Sequence, residues 1–406
     1  MDSRLKENAI PLARAVFGSE EERAVCDVLR SGWVSHGPRV VEFENVLADY
    51  LGCRYVRAVN SGSSAILLAL KAVGVGPGDS VIVPAFTCAA TALPILCLGA
   101  EVVFADIDLS SFNMSWADAE RVVKRNTKAI LLVHIFGRMA DAPAFVTACE
   151  QRGISLIEDA CLSLGARMNG RAAGTFGVAG CYSFHPRKMI TTGEGGAVAT
   201  DDDTIAGSIE RDRNYGAARS AWSRFQTNVG ELEGFERMAY NFKLTDIQAA
   251  IGIVQMMRLS DFIQEHHRIA AAYREQMEDL PGIELPTRVS EECDVNQAFT
   301  CRWAPLPANE LLSDETALAR AVSSLRSFKA SMISEGVAVS DAGQFLPGLP
   351  VFRAAGTTGE LLRGQYPSAY LAGSLSFALP MFPWMRHEDQ ARIVDRVTSL
   401  CRSSCL

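Results

Sequence analysis

The sequence predicts an α/β protein: a large first domain built on a mainly parallel sheet of seven strands, followed by a smaller mixed α/β domain. Three observations carry this. Between residues 55 and 200, short apolar runs bounded by turn residues alternate with stretches of helical spacing, the pattern of a parallel sheet covered on both faces. After Asp201-Asp202-Asp203 that rhythm stops. The 406 residues also exceed one domain, which usually takes about 100–200. The division is expected near residue 259, giving a large domain over 1–259 and a small one over 260–406.

Taken in order, Glu20 to Ser31 reads as an amphipathic helix stopped by Gly32, and Val40 to Leu51 as another stopped by Gly52. The seven strands are Tyr55–Val59, Ser80–Val83, Glu101–Ala105, Ala129–Ile135, Ile154–Ile157, Gly180–Phe184 and Ala197–Thr200. Helices are expected at Ser63–Val73, Thr87–Leu98, Trp116–Lys124 and Pro143–Arg152. Val81 to Ala100 carries no charge and has the length of a membrane span. Pro84 and Pro94 interrupt it, so it reads as a buried strand and then a buried helix, with Thr87 as cap and Leu98-Gly99 as stop. Further on, Arg211 to Glu236 is irregular, Leu244 to Leu259 has the spacing of one long helix, and Val337–Ser340 and Leu375–Leu379 read as strands.

Composition narrows the function classes. A hydrophobic content of 48% with 21% charged residues is that of an ordinary globular protein. The formal charge of -8 argues against a nucleic-acid binder or a polybasic membrane anchor. An anionic ligand must then be held by local donors. The eleven cysteines show no C-x-x-C pair and no metal-type spacing, and read as the reduced thiols of a cytoplasmic protein. The first eight residues, Met1 to Asn8, contain no apolar segment of a secretory signal.

Four loops at the ends of strands carry candidate chemistry, at the place where ligands bind in open parallel sheets. Lys188 stands between an apolar strand and the glycine-rich return Thr192-Gly193-Glu194-Gly195-Gly196. Partial exclusion of water there favours the neutral amine, which attacks carbonyls; a solvent-facing loop lysine is the bland alternative. Asn60-Ser61-Gly62-Ser63-Ser64 follows a strand and opens a helix, which suits a phosphate cup or a plain helix cap. Asp159, in Ile157-Glu158-Asp159-Ala160, ends a strand where a carboxylate can pair with a protonated ring nitrogen or cap the next helix. Ser183 lies five residues before Lys188 and can add its hydroxyl to the cup. A phosphate cup, an acid and a lysine in this order match pyridoxal 5'-phosphate chemistry.

Other residues have plainer readings. Gly74-Val75-Gly76-Pro77-Gly78 follows a helix and is a turn, not a dinucleotide fingerprint. His134 reads as a satisfied core histidine, and His266 and His267 as exposed on a polar helix face. Arg213, Arg219 and Arg224 read as a solvated charge run that could alternatively meet phosphates.

Nearly the whole chain resembles the DegT/StrS family of pyridoxal-phosphate-dependent aminotransferases. The strongest match is Ser183-Phe184-His185-Pro186-Arg187-Lys188 with Thr192-Gly193-Glu194-Gly195-Gly196, and Ile157-Glu158-Asp159-Ala160 and Asn60-Ser61-Gly62-Ser63-Ser64-Ala65 are similar again. Tyr240 to Ala250 and Leu379-Pro380-Met381-Phe382-Pro383 extend the match into the second half. The resemblance implies a fold-type I homodimer with active sites shared between subunits. It implies that Lys188 carries the cofactor and shuttles a proton, that Asp159 pairs with the pyridine nitrogen, and that Gly62, Ser63 and Ser183 hold the phosphate. Asn241 would reach the phosphate of the partner subunit. Glutamate or glutamine would be the amino donor and a nucleotide-linked keto-sugar the acceptor. A free cyclic ketone of the aminocyclitol type is the alternative acceptor, and a non-catalytic binding protein is the alternative use of the scaffold. Relatives that act as dehydratases replace the lysine by histidine, so Lys188 speaks against that activity. Among the cofactor-facing positions, Cys88 stands where members often place an aromatic, and Leu162 where a glutamine or histidine meets the phenolic oxygen. Lys243 replaces a common arginine, and Val337 to Ala342 lacks a frequent His/Tyr-rich pattern.

Overall fold

Helices α1 (Ser19–Ser31) and α2 (Pro38–Leu51) end at Gly32 and Gly52, as their sequences require. They open a computed structural model that describes residues 9–217, 222, 225, 234–353 and 358–404. The alternating region then folds as β1 (Tyr55–Val59), α3 (Gly62–Ala72), β2 (Ser80–Pro84), β3 (Phe86–Thr87), α4 (Ala89–Cys97), β4 (Glu101–Ala105), α5 (Trp116–Glu120), β5 (Thr127–Val133), α6 (Ala142–Arg152) and β6 (Ser155–Asp159). A small ribbon, β7 (Arg167–Met168) and β8 (Arg171–Ala172), precedes β9 (Ala179–Ser183) and β10 (Gly196–Thr200).

Seven of these strands form one sheet in the order β1-β10-β9-β6-β5-β2-β4. The five from β9 to β4 are parallel, and β10 runs antiparallel to both of its neighbours. Side chains alternate between faces along each strand. Val81, Val83, Leu131, Ile157 and Cys181 therefore pack under α3 and α4, while Ile82, Ile130, Leu132 and Leu156 pack with Phe145 of α6 on the other side. The same alternation sends Asp159 and Ser183 to the α3/α4 face, because they lie two residues beyond Ile157 and Cys181.

The remainder comprises α7 (Asp203–Asp212), α8 (Asp246–Met257), α9 (Leu259–Met277), β11 (Ile283–Glu284), β12 (Phe299–Trp303), α10 (Ala308–Ser313) and α11 (Glu315–Ser334). It continues with β13 (Ser340–Asp341), β14 (Gln344–Phe345), α12 (Gly359–Gln365), α13 (Pro367–Leu375), β15 (Ser376–Leu379) and α14 (His387–Ser404). A four-stranded sheet, β11-β12-β15-β13, has its own core, in which Trp303, Phe328 and Phe377 interlock. Links to the large sheet include the following. Strand β14 pairs with β3 through Gln344↔Thr87 and Phe345↔Phe86. Asp106, just past β4, accepts from the Ser368 and Ala369 amides at 3.1 and 2.7 Å at the start of α13.

Several expected elements differ in detail. The stretch after Asp201 forms α7, because Asp202 caps it by accepting from the Thr204 and Ile205 amides. The single long helix expected over Leu244–Leu259 is two: α8 starts behind a Thr245–Gln248 capping box, and α9 begins after Arg258. Thr87 does not cap α4. It lies in β3, Cys88 is the N-cap residue, and Gln344 Oε1 accepts from the Ala89 amide at 2.8 Å. Helix α5 stops at Glu120, and Val337 makes a single bridge to Ile10 in place of a strand. Val81 to Ala100 is strand and then helix, as its prolines predict. Among the described residues no helix is long and apolar enough to cross a membrane.

Candidate active site

The loop between β1 and α3 sits against the ends of β9 and β10. Ser61 caps α3, its Oγ accepting from the Ser64 amide at 3.1 Å, while the Ala65 amide goes to the Ser61 carbonyl. The Gly62 and Ser63 amides, first-turn donors of the helix, make no hydrogen bond among the described residues. They lie at the positive end of the helix dipole, where an anion is favoured; Gly62 is buried and Ser63 exposed. Ser183 stands beside them: a Cβ on Gly62 would lie 2.8 Å from Ser183 Cβ, 3.2 Å from its Oγ and 3.0 Å from Cys161 Sγ. Glycine at 62 is thus what lets the helix start approach the serine.

Asp159 ends β6 and is 5% exposed. Its Oδ2 accepts from Thr91 Oγ1 at 2.7 Å and its Oδ1 from the Cys161 amide at 3.1 Å. Neighbouring Glu158 points to the opposite face, where it accepts from the Gly174 and Gly177 amides and meets His134 Nε2 at 2.8 Å. His134 Nδ1 takes the Ala140 amide, so this histidine is a satisfied core group, as its apolar context predicts.

Lys188 rides on a loop closed by Phe184 N–H to Gly195 O and Thr192 N–H to Phe184 O, and anchored by buried Met189 and Ile190. The Lys188 amide donates to His185 O, and the preceding carbonyl, of Arg187, accepts from Gln297 Nε2 at 2.9 Å. The Lys188 side chain is half-buried. Burial pushes the Cys161 thiol well up; the Asp159 charge adds to this and the Lys188 charge opposes it. Cys161 joins two of these groups: its Sγ would lie 3.0 Å from a Cβ on Gly62, and its amide donates to Asp159 Oδ1 at 3.1 Å.

The remaining candidates lie on other segments. Cys88 is exposed at the start of α4, three residues before Thr91, and Leu162 packs half-buried against the α3/α4 core. Asn241 is exposed, with its Oδ1 accepting from the Lys243 amide. Its neighbour Phe242 accepts from the Asn60 amide at 2.8 Å, which ties this segment to the 60–62 loop. Lys243 Nζ donates to Asn214 Oδ1 at 3.1 Å and lies 4.0 Å from the Tyr215 ring centroid. Burial, and then the Arg213 charge, push it down to about 8.

Two readings of the sequence are corrected. Arg213 is buried, paired with Glu44 and Glu210 and donating to Ala58 O at 2.8 Å; Arg219 and Arg224 lie outside the described residues. His266 is also buried, with Nδ1 at 2.8 Å from Asn296 O, while His267 is half-buried and Nε2 meets Asp294 O. Thr91 and Cys161 are neighbours of Asp159 that no sequence motif singles out.

The profile of the DegT/DnrJ/EryC1/StrS aminotransferase family matches residues 16–398. The chain belongs to this family. Similar relatives include the spore coat polysaccharide biosynthesis protein SpsC of Bacillus subtilis, 36% identical over 68% of this chain and 71% of that protein. Among solved structures, DesV of S. venezuelae is 26% identical, with a TM-score of 0.82 over 97% of this chain and 98% of that one. The aminotransferase TlmJ of Streptoalloteichus hindustanus, 24% identical, has a TM-score of 0.86 over 98% and 100% and shares the fold. As a DegT/DnrJ/EryC1/StrS aminotransferase the chain is a pyridoxal-phosphate enzyme of fold type I, acting on an amino donor and a keto substrate. The donor set fits that cofactor group by group. Amides and a hydroxyl suit a phosphate, a buried carboxylate suits a protonated ring nitrogen, and a half-buried amine suits an aldehyde.

Proposed function

We propose that this aminotransferase moves an amino group from glutamate or glutamine to a keto-sugar, in the first instance a nucleotide-linked one. The observation that carries the reading is that Cys161 lies against the Gly62–Ser183 junction while its amide donates to Asp159 Oδ1, so the anion-binding turn and the buried carboxylate are neighbours. The likeness to SpsC supports a sugar acceptor, because polysaccharide assembly draws on activated sugars.

In this reading the Gly62 and Ser63 amides and Ser183 Oγ bind the phosphate. Asp159 holds the proton on the ring nitrogen, and Lys188 takes a proton from the substrate carbon and returns it elsewhere. When bound, pyridoxal phosphate supplies an aldehyde that takes up amino groups and a ring that withdraws electrons from that carbon. Leu162 and Cys88 would stand near the ring as the resemblance implies, and neither side chain would offer it a strong hydrogen bond. We also propose a homodimer in which Asn241 reaches the partner's phosphate. Tyr215, Phe235, Met238 and Tyr240 support it, since these large side chains are exposed around that segment. The eleven cysteines suit a reducing cytoplasm.

The test is a half-reaction screen. Protein loaded with cofactor should lose its visible absorbance on addition of glutamate or glutamine, and a nucleotide-linked keto-sugar should restore it. Restoration by free cyclic ketones alone would reject the nucleotide-linked acceptor. Light scattering at the mass of one chain would reject the dimer.

A further inference from the structure

Thr91 is the third residue of α4, 2% exposed, and its hydroxyl leaves its own helix to meet a residue 68 positions away. A threonine inside a helix ordinarily satisfies its hydroxyl on the carbonyl one turn back. Here Oγ1 lies 2.7 Å from Asp159 Oδ2. An ionised carboxylate only accepts, so the single hydroxyl proton of Thr91 goes to Asp159. Its oxygen is then left to accept from Thr87 Oγ1, 3.4 Å away and equally buried. The Cys161 amide holds the other carboxylate oxygen. One donor on each oxygen fixes the plane of the carboxylate and leaves it further lone pairs.

The position of Thr91 is itself set from the second domain. Thr87 pairs with Gln344 across β3 and β14, and Gln344 Oε1 accepts from the Ala89 amide at the start of α4. The helix that carries Thr91 is thus held at its first turn by the strand that crosses from the other core.

We infer that Thr91 is a positioning residue for the reaction: its hydroxyl holds the Asp159 carboxylate in the orientation that receives the pyridine N–H. This rests on the reading that Asp159 faces the ring nitrogen. A firmly held ring cation would lower the proton affinity of the nitrogen joining the cofactor to Lys188, so loosening Asp159 would raise the pH at which the loaded protein changes colour.

The experiment compares cofactor-loaded wild type, T91V, T91S, D159N and the double variant T91V/D159N. The readouts are the pH midpoint of the visible absorbance and the cofactor dissociation constant. T91V is expected to raise the midpoint by about half a unit and to weaken cofactor binding about tenfold, the scale of one hydrogen bond to a charged group. T91S is expected to restore both. In the D159N background, T91V is expected to change neither. If T91V does not fold, T91C keeps the volume with a weak thiol donor and carries the same expectation. A T91V protein with the wild-type midpoint and affinity overturns the inference alone, as does an undiminished T91V effect in the D159N background. A wild-type midpoint and affinity in D159N overturns the reading of the site together with this inference.

Discussion

The backbone of Ser61 occupies the space that any side chain on Gly196 would need: a Cβ there would stand 2.4 Å from the Ser61 carbonyl carbon and oxygen and 2.7 Å from the Gly62 nitrogen. Gly196 opens β10, pairing with Val59 on one side and Ser183 on the other. The strand that returns from the Lys188 loop is therefore bare where the start of α3 crosses it.

Gly196→Ala must push the 61–62 loop away from Ser183. Strained packing of this kind costs about 1–3 kcal/mol. Because the displaced amides are the proposed phosphate donors, cofactor affinity is expected to fall at least about tenfold, a difference of ~1.4 kcal/mol. Equilibrium dialysis with pyridoxal phosphate and a urea melt of the apoprotein separate the two effects. Unchanged affinity would move the phosphate site elsewhere.

Lys188→Ala removes the amine. Borohydride treatment of the loaded wild type should fix the cofactor's mass on the peptide containing Lys188, and the variant should lose that adduct. Turnover is expected to fall by about 10³-fold, within the range that a positioned acid–base group supplies. Lys188→Arg should not rescue it, since guanidinium stays protonated and is no nucleophile. An adduct on another lysine would displace Lys188 from its role.

The sheet was legible because five parallel strands buried on both faces leave apolar runs such as Val81-Ile82-Val83, which no other architecture explains as simply. Asp159 and Ser183 are singled out in the sequence because each ends an apolar strand, and Gly62 and Lys188 because each lies in the turn that follows one. Thr91 is not: it is one hydroxyl in an apolar helix, and its meaning comes only from Asp159, which β6 brings to it. The same limit explains the corrections. Arg213 reads as a surface charge until Glu44, 169 positions earlier, is folded against it. His266 reads as polar-faced until Asn296 O arrives from the loop before β12.

The Arg213–Glu44 pair predicts a large effect on stability. Glu44 Oε1 accepts from Arg213 and from the Ala58 amide, and both side chains are buried. Arg213→Met leaves Glu44 without its counter-charge, a change expected to cost about 3–5 kcal/mol. Adding Glu44→Leu should recover much of that loss, because it removes the stranded charge. Urea midpoints of the single and double variants check this. A double variant that is less stable than the single one would show that the acid serves the Ala58 amide more than the arginine.

His266 predicts how the fold responds to acid. Burial pushes it down to about 4, with the bond to Asn296 O opposing the shift. An exposed histidine in the unfolded chain binds its proton near pH 6.5. Between these values the unfolded state carries the extra proton, so stability rises with pH there and is lost as pH falls. The contribution is complete above about pH 6.5 and gone below about 4. At pH 5 the loss is about 2 kcal/mol, from 1.36 kcal/mol per unit over roughly 1.5 units. His266→Gln carries no titrating group. It should start less stable at pH 7.5, having lost ring packing, and then lose less than wild type on going to pH 5. Chemical melts of both proteins at the two pH values measure this difference of differences. Parallel losses would assign the acid sensitivity to another buried group.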